Sequence, residues 1–207
     1  MLVSEAIESI EMLSDEMYEA EEWMQLINLC LDDLTPVAKR LAIVENVSAV
    51  VSNGKAEIDI ENTDFNTVHE ILNLRYCPDG GAFTKLRRLS PSNSFSKGWK
   101  QIYGKIELQG LEEETTGIVE ADIYEKLPHV TDATDDIPLP EEHAHLVVEY
   151  VCAKAKVREE EPEMEQGFWG RYMQNKQEFA SERLWQMEPQ SRKFIRRSYL
   201  NPPRAEG

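Results

Sequence analysis

Residues 135 to 185, DDIPLPEEHAHLVVEYVCAKAKVREEEPEMEQGFWGRYMQNKQEFASERLW, constrain the fold more than any other stretch of the chain. Pro138 and Pro140 bracket Leu139. Proline fits the first turn of a helix, where its missing N–H has no partner to lose. Glu141 and Glu142 follow, and negative charge at that end is favoured by the helix dipole. Leu146, Val147, Tyr150, Val151, Ala153 and Ala155 then form a helical face out to Val157. A charged break, Glu159 to Glu161, leads to Pro162, read as the stop. From Glu163 a second helix carries Met164, Phe168, Tyr172, Phe179 and Trp185, mostly three or four residues apart. Two helices joined by a short break containing proline predict an antiparallel hairpin.

The same helical period opens the chain. Val3, Ile7, Ile10 and Leu13 share a face, with Ser4 as the expected N-cap. Trp23, Leu26, Ile27, Cys30, Leu31 and Leu34 make a wide apolar stripe. Pro36 reads as a kink or break, with the helix continuing over Val37 to Val44. From Val47 the period changes. Lys55 to Ile60 alternates as a half-buried strand, and Val68 to Tyr76, Lys105 to Gln109 and Gly117 to Tyr124 read as three more. Ser52-Asn53-Gly54 and Pro78-Asp79-Gly80-Gly81 are turn signals. Phe83 to Leu89 is open between strand and helix, and Ser94 to Tyr103 reads as a loop or short turn around Trp99.

The pattern predicts an α+β protein. Its helical platform comprises N-terminal helices (residues 1–46) and, after a loop, a C-terminal helical hairpin (residues 128–187). A small antiparallel β module, residues 47–127, is inserted between them, and residues 188–207 read as an extended basic tail. A chain of 207 residues suffices for one decorated domain or two small ones. Three cysteines lie far apart without a Cys-x-x-Cys pair, and MLVSEAIESIEM has neither a basic nor a long apolar leader region. A reducing cytoplasm is the expected place of synthesis.

Net charge is −17, yet five of the 22 basic residues and only one of the 39 acids fall from Arg192 onward. An acidic body repels phosphates and disfavours tight wrapping of DNA. In the tail, Phe194, Ile195, Tyr199 and Leu200 alternate with Arg192, Lys193, Arg196 and Arg197. Apolar anchors between cations fit a segment that orders in a partner's groove, and an unstructured solubilising end is the plainer alternative. The aromatics Phe168, Trp169, Tyr172, Phe179 and Trp185 could stack on nucleic acid, but their helical spacing and acidic surroundings favour packing in a core or between subunits.

No catalytic constellation or cofactor motif is legible. His143 and His145, two apart on a helix, point away from each other, and a metal site using His145 with Glu149 is sterically feasible but is more often a solvated pair. No phosphate-binding glycine loop, Gly-x-Ser-x-Gly or His-Glu-x-x-His occurs, so neither an enzyme nor a cofactor is expected.

The chain resembles the head-to-tail adaptor proteins of tailed bacteriophages. The resemblance is carried by Tyr124, Leu127 and Pro128, by Asp135, Asp136, Pro138, Leu139, Pro140 and Glu141, by Val147, Tyr150 and Ala153, and by the Ile27-Asn28-x-Cys30 centre of the N-terminal helix. It implies a structural virion protein of the neck, made in the host bacterial cytoplasm. Copies would form a ring, twelvefold in the family, on the portal protein and extend the DNA channel. They would dock a further neck or tail-completion protein, with DNA passing through the lumen without specific binding. Arg192, Lys193, Phe194, Ile195, Arg196, Arg197, Tyr199 and Leu200 would then grip the portal. The alternatives are a cytoplasmic interaction or regulatory protein whose acidic body binds a basic partner, and an enzyme with an acidic metal site.

Overall fold

A computed structural model describes residues 1–79, 81–92, 96–111, 116–158 and 162–199, with side chains except at 158 and from 183 onward. The chain is α+β and divides into two compact units, residues 1–38 with 127–207 and residues 39–126. The first is helical: α1 (Val3–Ser14), α2 (Ala20–Ala38), α3 (His145–Arg158) and α4 (Pro162–Tyr199). The second holds seven strands among the described residues: β1 (Arg40–Val50), β2 (Lys55–Asp59), β3 (Val68–Pro78), β4 (Thr84–Leu86), β5 (Gly98–Ile102), β6 (Lys105–Gln109) and β7 (Thr116–Glu125).

Most residues of the predicted stripes form the core of the helical unit, while Leu13, Met164 and Val157 are about half exposed. Val3, Ala6 and Ile10 from α1, Trp23, Leu26, Ile27, Cys30, Leu31 and Leu34 from α2, Leu146, Val147 and Val151 from α3, and Phe168, Tyr172 and Phe179 from α4 share one buried cluster. The hairpin is antiparallel: Tyr150 meets Tyr172, with ring centroids 5.2 Å apart, while His143, just before α3, meets Phe179 at 4.7 Å. Pro162 is the first residue of α4 and not only a stop, the position where proline leaves no N–H unpaired. Pro138 and Pro140 precede a 3-10 turn at Glu141–His143 that leads into α3.

Several expectations change. Leu2, not Ser4, caps α1, and the Leu2 N–H donates to Glu5 Oε2 at 2.8 Å. Pro36 sits within the last turn of α2, and the helix stops at Ala38. It does not continue to Val44. Lys39 takes a left-handed φ of 44°, and the run after it pairs as β1 against β7, Leu41 opposite Tyr124 and Val44 opposite Ala121. Helical backbone also runs on past residue 187 to Tyr199, through most of the stretch read as an extended tail. Gln190, Arg192, Lys193, Arg196 and Arg197 are straight-chain helix formers, and Pro189 is the one proline of that stretch that falls within the described helix.

The β unit comprises a four-stranded sheet, β1-β7-β3-β4, and a three-stranded sheet, β2-β6-β5, with antiparallel pairing between the strands of each. Inward residues of both sheets share one core: Val44, Ala49, Leu74, Tyr76, Val119 and Ala121 from the first, Ala56, Ile58, Trp99, Ile106 and Leu108 from the second. Asn53 and Gly54 both take positive φ, as a two-residue hairpin turn requires, in agreement with the sequence signal. Tyr103-Gly104 makes the same kind of turn between β5 and β6 with a residue that carries no such signal.

The stretch around Trp99 is strand β5, not a loop. Trp99 exchanges two backbone bonds with the passing chain, its N–H donating to Arg87 O at 2.9 Å and its carbonyl accepting from the Leu89 N–H at 2.7 Å. That approach needs Gly98, since a Cβ there would lie 2.3 Å from Arg87 O. The ambiguous stretch 83–89 contributes β4 and this crossing.

Candidate assembly surfaces

Polar contacts add to the core in fixing the helical unit. Asn28 projects from α2 at the loop after β7. Its Nδ2 donates to the Val130 carbonyl at 3.0 Å and its Oδ1 accepts from the Val130 N–H at 2.8 Å, so one side chain imitates a strand partner. About two turns later, Thr35 Oγ1 accepts from the Leu127 N–H at 3.1 Å while donating to Leu31 O at 2.9 Å. The loop also holds itself. Asp135 Oδ2 accepts from the backbone N–H groups of Thr131 and Asp132, and the Asp135 carbonyl accepts from the Val3 N–H at 2.9 Å.

Between α2 and α4 lies a second staple. Asp33 accepts from the Tyr172 hydroxyl and pairs with Lys176 Nζ at 2.6 Å. Burial raises the Asp33 carboxyl, but the hydrogen bonds from Lys176 and Tyr172 outweigh it and hold the group below the usual carboxylate range. Burial pushes the Tyr172 hydroxyl and the nearby Cys30 thiol well up, and Cys152 up to about 11, so these groups stay neutral. A lowered folded-state pKa contributes stability that is present above the unfolded value, about 3.9 for Asp, and is lost as pH falls through the folded value. Asp33→Asn is therefore expected to be less stable than wild type at pH 7, with the gap closing toward pH 3. Urea unfolding of both proteins across that range checks it, and a gap independent of pH would refute it.

Two surfaces flank α4. On one side a groove of about 550 Å³ lies among α1, the start of α3 and α4, lined by the apolar Leu13, Val148 and Phe168 and by Glu5, Glu141 and Glu149. Arg171 forms part of its wall, with its guanidinium 4.7 Å from the Phe168 ring. On the other side Trp169 and Met173 are 38% and 41% exposed, and Lys154 Nζ lies 5.3 Å from the Trp169 ring. In the β unit, β1 is an edge strand on which Leu41 and Ile43 are half exposed, a template for further pairing.

The aromatic series divides accordingly. Phe168, Tyr172 and Phe179 are buried in the unit's core, Trp169 is partly exposed, and the Trp185 side chain lies outside the described ones. His143 is buried and joined to Glu182 at 2.7 Å, whereas His145 lines the groove, and Glu149 accepts from Asn175 with both oxygens. Among the described residues no group of three or more His, Cys, Asp or Glu is placed to hold a metal ion, and no helix is long and apolar enough to cross a membrane. Arg192, Lys193, Phe194, Ile195, Arg196, Arg197 and Tyr199 fall on the last turns of α4, their side chains outside the described ones, and Leu200 lies outside the described residues.

Residues 1–193 match the family model described as SU10 adaptor protein. No curated protein matches the chain.

Proposed function

Because the chain belongs to the SU10 adaptor protein family, a family of phage head–tail adaptors, we propose that it is a structural, non-catalytic component of the virion neck that assembles as a ring on the portal. The observation that carries this reading is the extent of the match, which takes in both units and most of α4. In it, the ring extends the DNA channel and receives the next neck or tail protein. The acidic composition agrees with this role. A wall of net negative charge lets DNA slide, whereas a basic wall would hold it at many phosphates.

The basic end of α4 and the residues after it are the portal anchor in this reading. Arg192, Lys193, Arg196 and Arg197 are interleaved with Phe194, Ile195, Tyr199 and Leu200, and a segment that only solubilised the chain would not need those apolar groups. Affinity per copy is modest and grows by avidity around the ring. Like charge on the bodies opposes self-association at low salt, so the free protein is a monomer or weak oligomer and the ring forms on the portal.

The test is to delete residues 190–207 and count copies bound to the portal ring by mass photometry, with far-ultraviolet circular dichroism as the folding control. The expected result is a folded protein whose occupancy of the portal falls about 100-fold or more at fixed concentration, as the loss of a multivalent contact implies. A truncated protein that loads the portal as well as the full chain overturns the anchor. A full-length protein that never loads the portal overturns the adaptor reading itself.

A further inference from the structure

The two sides of α4 differ in a way that a ring would use. The groove is lined by apolar side chains and by three glutamates, of which Glu149 is held by Asn175 and Glu5 by the Leu2 N–H, while Glu141 is exposed. The opposite flank carries an aromatic ring, a methionine and a lysine: Trp169, Met173 and Lys154. At 100° per residue, Arg171 on the groove wall stands about 200° around the helix from both Trp169 and Met173. The groove and the aromatic flank with its lysine therefore lie nearly back to back across α4.

A twofold dimer needs one self-complementary patch. A closed ring needs two different patches that match each other on opposite sides of the subunit. We propose that adjacent copies join by seating the Trp169 flank of one in the groove of the next, an inference that rests on the ring reading above. Trp169 enters the groove against Leu13 and Val148, and Lys154 meets Glu141. Trp and Tyr anchors in desolvated pockets dominate interfaces of this kind, and paired charges at the rim fix the register. The occupant is a second copy because the flank's charge is opposite to that of Glu141 and the flank's aromatic is left partly exposed within its own unit.

Charge reversal tests it with the full-length chain and the portal ring. Lys154→Glu sets a carboxylate against Glu141 of the next copy, and Glu141→Lys sets two cations together. Each variant alone is expected to load the portal with about tenfold fewer copies than wild type at fixed concentration. An equimolar mixture of the two is expected to assemble again, because when they alternate around the ring every junction sets one cation against one carboxylate. Misfolding would not be cured by mixing, so this rescue reads the interface directly. Single variants that assemble as wild type does, or that fail both alone and mixed, overturn the proposal. The second outcome assigns the groove to the portal or to another neck protein. If wild type forms no ring on the portal at all, the ring reading falls first.

Discussion

Leu146→Asp is expected to abolish the folded helical unit. Leu146 is fully buried in the cluster that joins α2, α3 and α4, and its carbonyl accepts from the buried Cys30 thiol. Removing a buried leucine costs about 2–5 kcal/mol from lost transfer and cavity terms. An aspartate in its place is either an unpaired buried charge or a protonated acid with unsatisfied oxygens, adding about 1–3 kcal/mol or more. The sum approaches the whole stability of a typical domain, about 5–15 kcal/mol. Soluble yield and helical circular dichroism should collapse together. Glu8→Lys, on the exposed face of α1, should shift stability by less than about 0.5 kcal/mol. Equal melting temperatures for the two variants would remove Leu146 from the core.

Asn28→Leu is expected to cost about 2–4 kcal/mol, although it fills similar volume with apolar atoms. The reason lies on the other side of the contact. Val130 is buried, and both its N–H and its carbonyl are satisfied by this one side chain. Each buried backbone group left without a partner costs about 1–3 kcal/mol. Asn28→Asp separates the two halves. It keeps an acceptor for the N–H but sets a carboxylate against the carbonyl, so its deficit should shrink at acid pH as the carboxyl protonates and becomes a donor. Urea midpoints at pH 7 and pH 4 measure both effects. A leucine variant with an unchanged midpoint would show that the loop is held by other contacts.

The helices are legible in the sequence because their apolar residues repeat at the helical period over long spans. The stripe on α2 (Trp23, Leu26, Ile27, Cys30, Leu31, Leu34) and the face on α3 (Leu146, Val147, Tyr150, Val151) are among the buried residues of the unit. Strands with clean alternation or a strong turn, such as Lys55 to Ile60 after Asn53-Gly54, are legible too. Sequence and structure part where local signals are weak and distant pairing decides. Arg40 to Val44 continues an apolar helical pattern, and only its partners on β7 make it a strand. Trp99 stands among serines, lysines and a glycine that read as loop, and the crossing chain at Arg87 and Leu89 makes that stretch β5. The surfaces flanking α4 are less legible still. The aromatic series is visible in the sequence, but that Trp169 alone of its described members is left partly exposed depends on how α3 and α4 meet. Asn28 stands out in the sequence as the polar centre of an apolar helix, yet its role depends on Val130, in a loop far along the chain.

The helical unit releases the chain at Ala38 and takes it back at Leu127, and Thr35 ties the returning backbone to the helix it left. Inside the β unit the same two ends are neighbours, Arg40 paired with Glu125 in the ladder and by an ion pair at 3.2 Å. An insertion whose entry and exit are adjacent asks nothing of its host beyond that one doorway, which is where natural chains tolerate added or replaced domains. Evolution could therefore exchange the inserted unit for another, or reduce it to a short connector, without rethreading the helices. Lineages that keep one helical body could diversify what it presents by trading this cassette alone.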